Sequence, residues 1–177
     1  MGWTYKAHGV VAAALSLVLL VLAALTWLPG ILPLTGSKWP IVTTFVLLFP
    51  IFTAALVRML LTGADRRSIW LALRCLPGRA QMALGALAVS CVALMVVSEA
   101  GQNNLQAAEM KGDRYFAFDT TPYARGTVEV AQPQYQAVLE RDQRMIFAIP
   151  GLLFAGAAIC ILAAGELRRA DRGSVLS

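Results

Sequence analysis

Residues able to do chemistry are few and spaced against it. His8 stands alone, Cys75, Cys91 and Cys160 are scattered with no CxxC between them, and neither a GxSxG elbow nor a glycine-rich phosphate loop occurs. A metal centre needs several His, Cys or carboxylate ligands that converge, and a thiol relay needs a dithiol. The ten carboxylates all lie outside the apolar runs, so the mid-membrane ionisable group that proton or ion coupling typically uses is missing. The expectation is a chain with no metal, no cofactor and no catalytic residue. One constellation suits a lipid-acting enzyme: Asp119 and Glu129 as acid and base, with Arg125 as anion binder. Two carboxylates on a hairpin are, however, ordinarily a solvated face.

The elements that carry these residues are set by composition. Of 177 residues, 58% are apolar and only 14% charged, against about 25% charged in an ordinary soluble domain. Soluble, disordered and collagen-like chains are excluded by those values, and three cysteines exclude a disulfide-stapled mini-domain. Four apolar runs, 9–28, 41–61, 80–97 and 145–164, are each 18 to 21 residues long. About 20 residues of helix cross a hydrocarbon layer of ~30 Å. Lys6 ahead of the first run also fits a signal peptide, but the run is longer than the apolar region of such a leader and reads as a span. Arg58 is the one charge inside a run, and it sits close enough to the end to reach headgroups.

Basic residues counted by connector give an expected orientation, because Lys and Arg resist transfer across the membrane. Segment 58–79 holds Arg58, Arg66, Arg67, Arg74 and Arg79 against Asp65 alone, and Arg168, Arg169 and Arg172 follow the last run. That segment and both termini are expected in the cytoplasm, which assigns the chain to the plasma membrane as a multi-pass protein. Segment 98–144 balances five basic residues against seven acids and is expected outside. The net charge of +5 is thereby a matter of topology, and no clustered basic face with aromatics suggests nucleic acid.

The connectors differ in content. Between the first two runs Pro29, Gly30, Pro33, Gly36 and Pro40 predict a tight turn, with Trp27 and Trp39 as interfacial anchors. Its Leu32-Pro33-Leu34-Thr35-Gly36 resembles a sortase sorting signal, but such signals lie at the C-terminus of an exported protein, and here the match reads as a turn. Segment 65–76 predicts a cytoplasmic interfacial helix, with Ile69, Trp70, Ala72, Leu73 and Leu76 mainly on one face and Arg67 and Arg74 opposite. In 98–144 the third span is expected to continue as helix to Lys111 and to stop at Gly112. A β-hairpin of 114–119 and 127–130 follows, and then a helix led by Pro133 that runs unbroken into the fourth span. Glu140 and Arg144 form an i,i+4 pair on it. Small residues at Ala83, Gly85, Ala86 and Ala88, and at Gly151, Ala155, Gly156 and Ala157, predict close packing of spans three and four.

The hairpin, the Tyr135 segment and the fourth span together resemble uncharacterised four-helix membrane proteins of high-GC Gram-positive bacteria, and 12 Arg against 3 Lys agrees with a GC-rich bacterial genome. The resemblance implies a fold and no activity. The expected fold class is all-α integral membrane, four transmembrane helices in one domain over 1–177, with a small external hairpin between helices three and four. The expected function is non-enzymatic protein–protein contact through 98–144, as an accessory subunit of a membrane complex or as a surface receptor or immunity-type factor. Its candidate contact residues are Tyr115, Phe116, Phe118, Tyr123, Arg125 and Tyr135, since aromatics with Arg anchor interfaces. The rival is an oligomeric channel or transporter component, suggested by Pro50, Pro150, Thr43, Thr44 and Thr53.

Overall fold

A computed structural model describes residues 2–28, 39–63, 65–100 and 104–174. The turn 29–38, with the sorting-like stretch 32–36, lies outside the described residues. Four helices are long and apolar enough to cross a membrane: α1 (Trp3–Leu25), α2 (Trp39–Leu61), α4 (Gly78–Ala100) and α5 (Gln132–Ser174). A short helix α3 (Arg66–Arg74) joins α2 to α4. A three-stranded antiparallel sheet, β1 (Leu105–Lys111), β2 (Arg114–Asp119) and β3 (Gly126–Glu129), lies between α4 and α5 in the chain.

The core is organised by α5. Its 43 residues, about 65 Å of helix at 1.5 Å per residue, touch every other helix and the first two strands. Against it α1 buries Tyr5, Gly9, Ala12, Ser16, Leu19 and Ala23. These residues alternate steps of four and three, the seam of a left-handed helix pair. Small side chains at Gly9, Ala12, Ser16 and Ala23 let the two backbones approach, and the Ser16 hydroxyl donates to the Gly151 carbonyl at 2.7 Å. A Cβ built on Gly151 would lie 3.4 Å from Cys91 Sγ and 3.5 Å from Leu19 Cβ, so three helices meet there. Both Pro50 and Pro150 lie within unbroken helices.

The expected use of small residues is corrected in one respect. On α4, Ala83, Gly85 and Ala86 are exposed, and it is Leu84, Cys91, Leu94 and Ser98 that turn inward. The small residues of α5, Ala155, Ala157 and Ala158 among them, are buried and serve α1 as much as α4. Elsewhere the helices are apolar to the outside: Phe49 is 77% exposed, Leu60 81% and Val89 68%. An exposed apolar surface of this extent marks a contact with membrane or with other protein.

At the end of the bundle that carries α3, Arg58 does more than reach outward. Its guanidinium lies 4.6 Å from the Tyr5 ring centroid and donates to the Thr4 carbonyl, while Arg168 donates to the Tyr5 hydroxyl at 2.9 Å. α2, α1 and α5 are thus joined through one buried tyrosine. α3 starts where Asp65 accepts from the Ser68 amide, a side-chain N-cap. Hydrogen bonds from Ser68 hold the Asp65 carboxyl below the usual carboxylate range. The helix ends at Arg74, and Gln81 on α4 donates to the Arg74 and Leu76 carbonyls, which satisfies groups a helix end leaves open. Ala72 and Leu76 are buried beside α5, while Trp70 and Leu71 stay exposed.

The sheet carries the main correction. Residues 105–111 are a strand and not a continuation of the third span, which ends at Ala100. Gly112, at φ +61, belongs to the Gly112-Asp113 turn joining β1 to β2. A left-handed glycine serves a tight hairpin as readily as a helix end. The hairpin expected from 114–119 and 127–130 exists as β2–β3, with Phe116 opposite Glu129 and Phe118 opposite Thr127. β1 adds a third strand whose register slips by a bulge between Gln106 and Glu109. In the bulge Ala107 takes φ +51, and its amide donates to the Asp142 carboxylate at 2.9 Å. The left-handed conformation costs an L-residue roughly 1–2 kcal/mol, and glycine's added unfolded freedom costs roughly 0.5–1 kcal/mol. Ala107→Gly is therefore expected to strengthen the sheet by up to about 1 kcal/mol, read as slower hydrogen exchange of amides in 109–118.

Candidate partner-binding surface

The two faces of the sheet have different tasks. Tyr115, Ala117 and Asp119 share one face, and Arg114, Phe116 and Phe118 the other, because side chains alternate along a strand. The first face meets α5. Ala117 is buried there, and the Tyr115 ring stacks on Tyr135 with centroids 4.8 Å apart and planes inclined at 38°. Val130 donates to the Tyr115 carbonyl at 2.9 Å, which ties the start of α5 to β2.

β1 is clamped separately. Arg141 on α5 donates to the Leu105 carbonyl at 2.7 Å and pairs with Asp142 at 3.3 Å, while Asp142 holds the Ala107 amide. Two adjacent residues of α5 thus fix the backbone of an edge strand. The sheet is bonded to α5 through β1 and packed on it through β2.

The second face points away. Down its middle run Glu109, Phe116 and Glu129, one from each strand, with Lys111 and Arg114 beside them. Lys111 pairs with Glu109 at 3.1 Å, and Arg114 with Glu129 at 3.6 Å. Exposed pairs of this kind contribute little stability; they flank Phe116 with charge of both signs. Phe118 is 41% exposed. At the tip Asp119 accepts from the amide and hydroxyl of Thr121, and those bonds hold its carboxyl below the usual range. Thr120 and Thr121 bond in turn with Asn104. This braced turn presents Tyr123, at φ +70 and fully exposed, beside exposed Arg125.

Of the six expected contact residues, Tyr115 and Tyr135 turn inward and pack on each other, while Phe116, Phe118, Tyr123 and Arg125 are left on the outward face or the tip. Asp119 and Glu129 fall on opposite faces, so the expected acid and base are not brought together. Among the described residues no group of three His, Cys, Asp or Glu converges for a metal.

Sequence reasoning missed the residues that hold the platform. Arg144 makes no contact ion pair with Glu140, which acts on it only through space. Its Nε donates to Thr26 Oγ1 at 3.0 Å, its Nη1 to Ser98 Oγ at 3.4 Å, and its guanidinium lies 5.1 Å from the Trp27 ring centroid. The ends of α1 and α4 therefore meet α5 on one buried cation, one helical turn along from the Arg141–Asp142 clamp. The run Glu140-Arg141-Asp142-Gln143-Arg144 carried the signal, since five successive polar residues at the head of an apolar span exceed what an exposed helix end needs. No protein-family model, no curated protein and no solved structure matches the chain.

Proposed function

We propose that this is a non-enzymatic, multi-pass plasma-membrane protein that works by binding another protein through the outward face and tip of its sheet. In this reading both termini and α3 face the cytoplasm and the sheet stands outside the cell, as the arginine-rich 58–79 segment and the net-acidic 98–144 segment support. An accessory subunit of a membrane complex and a surface receptor or immunity-type factor both fit.

The observation that carries the proposal is the outward presentation of Phe116, Phe118 and Tyr123 by a sheet bonded to α5. A sheet pinned at its back by Arg141, Asp142 and Tyr135 has no folding use for a fully exposed tyrosine on a braced turn. Pre-organised aromatics lose little freedom on binding and supply much contact area.

A photo-crosslinking residue placed at Phe118 or Tyr123 in intact cells is expected to give one discrete protein adduct, and the same residue at lipid-facing Phe49 none. Phe118→Ala with Tyr123→Ala should cut adduct recovery from a third site, Thr127, by about tenfold or more. The same pair should shift stability by no more than about 0.5 kcal/mol, as expected of exposed positions. Absence of adducts from both sheet positions counts against the proposal. Labelling of Tyr123→Cys by a membrane-impermeant maleimide tests the orientation separately.

A further inference from the structure

We infer that the cavity between α4, α5 and β1 binds a zwitterionic phosphodiester, with the phosphate held by Arg144 and the ammonium by Glu140. The cavity has a volume of about 470 Å³ and is lined by Val97, Ser98, Leu105, Glu140, Arg141 and Arg144, among others. Arg144, a buried residue, is part of that lining. The groups that touch that cation are the hydroxyls of Thr26 and Ser98 and the Trp27 ring, all neutral. Among the described residues no carboxylate touches that cation, and Glu140 acts on it only through space; a buried cation so placed favours the entry of an anion.

Arg141 is not equivalent, because Asp142 lies 3.3 Å from it. Glu140 is the counter-charge that acts on Arg144 through space without touching it. It lines the same cavity, and among the described residues no basic group lies within ion-pair distance of it. Glu140 and Arg144 are one helical turn apart, about 6 Å along the axis. The cavity is thus lined by one positive and one negative residue a helical turn apart, the pair of charges that a phosphate and an ammonium joined by a two-carbon link would answer. A simple anion would satisfy Arg144 and be repelled by Glu140.

The cavity's depth favours a lipid as the source. Val97 and Ser98 lie where the apolar run of α4 ends, and Arg144 immediately precedes the run 145–164. In a spanning bundle both mark the headgroup level. The same charges would also accept a soluble phosphodiester zwitterion.

Native mass spectrometry of the full chain in mild detergent separates these cases, with dioleoyl-phosphatidylethanolamine, dioleoyl-phosphatidylglycerol and glycerophosphoethanolamine as probes. The wild type should retain the ethanolamine lipid about tenfold more tightly than the glycerol lipid, which lacks the ammonium. Glu140→Gln should erase that preference with an unchanged Tm. Glycerophosphoethanolamine retained as well as the lipid identifies a free zwitterion as the source, and much weaker retention identifies the membrane. Equal retention of the two lipids by the wild type overturns the inference, as does a preference that survives Glu140→Gln.

Discussion

Arg144→Ala is expected to lower stability by about 2–3 kcal/mol, and Arg144→Glu to prevent accumulation of the folded protein. The alanine variant loses two hydrogen bonds from a charged donor, each about 1.5 kcal/mol or more, and a stacked contact with Trp27 of roughly 0.5–2 kcal/mol. Two effects offset part of that. Thr26 and Ser98 keep their own donations, to the Ala23 carbonyl at 2.7 Å and the Leu94 carbonyl at 2.6 Å, so neither is left as an orphan donor. Removal of a buried cation also recovers a desolvation cost. In a chain of this size a loss of 2–3 kcal/mol lowers Tm by roughly 5–10 °C. Glutamate reverses the charge beside Glu140 and leaves it buried without a partner, a cost on the order of 3–5 kcal/mol or more. Arg144→Met, which fills most of the space without charge, is expected to fall between alanine and wild type. Thermal unfolding in detergent, followed by tryptophan fluorescence because Trp27 reports on the site, ranks the series. A methionine variant as damaged as the alanine one would mean that charge and not packing carries the node.

The same residue shows what kind of information the sequence held. Glu140 and Arg144 at i,i+4 make a sound local reading, yet the partners that win are 118 and 46 residues away in the chain. Local spacing cannot report them. The four apolar runs, the Asp65-capped helix and the Pro133-led helix flowing into the last span were legible because each depends on composition or on one turn of neighbours. The stretch Leu105-Gln106-Ala107-Ala108-Glu109-Met110-Lys111 was not, because by intrinsic propensity it is helix-forming. It becomes a strand through pairing with 114–119 and through Asp142 holding the bulge at Ala107, both tertiary effects that override propensity. Gly112 could not arbitrate, since a helix end and a hairpin turn both need positive φ.

The contact surface was half legible. Aromatic enrichment in 113–135 marked the right segment, and strand alternation alone separates Tyr115 from Phe116 and Phe118. It does not say which face meets α5. That choice follows from Tyr135, whose position on the opening turn of α5 lets it stack with Tyr115. The α1 seam was legible and went unread: Gly9, Ala12, Ser16, Leu19 and Ala23 recur at heptad spacing, but a run that is apolar all round hides the period unless small residues are tracked separately from large ones.

That seam carries the second large effect, at Gly9. A Cβ there would lie 2.7 Å from both Cγ and Cδ2 of Leu162 on α5, closer than carbon atoms tolerate. Cγ is the branch point of the leucine, so the side chain cannot yield by swinging its tip; either Leu162 changes rotamer or α1 moves outward. Overpacking of this kind costs typically 1–3 kcal/mol, and Gly9→Val, with two further methyl groups, belongs at the upper end. An outward shift of α1 also lengthens the Ser16–Gly151 bond two turns along the same seam. Gly9→Ala should be milder, and its cost should depend on Leu162. In the double variant with Leu162→Ala the added methyl finds the space that the leucine vacated, so the two losses should fall short of additive by about 1 kcal/mol or more. Thermal unfolding of the four members of this cycle measures the coupling. Strict additivity would mean that the two helices do not meet at Gly9, and the α1–α5 seam as described would be wrong at its closest point.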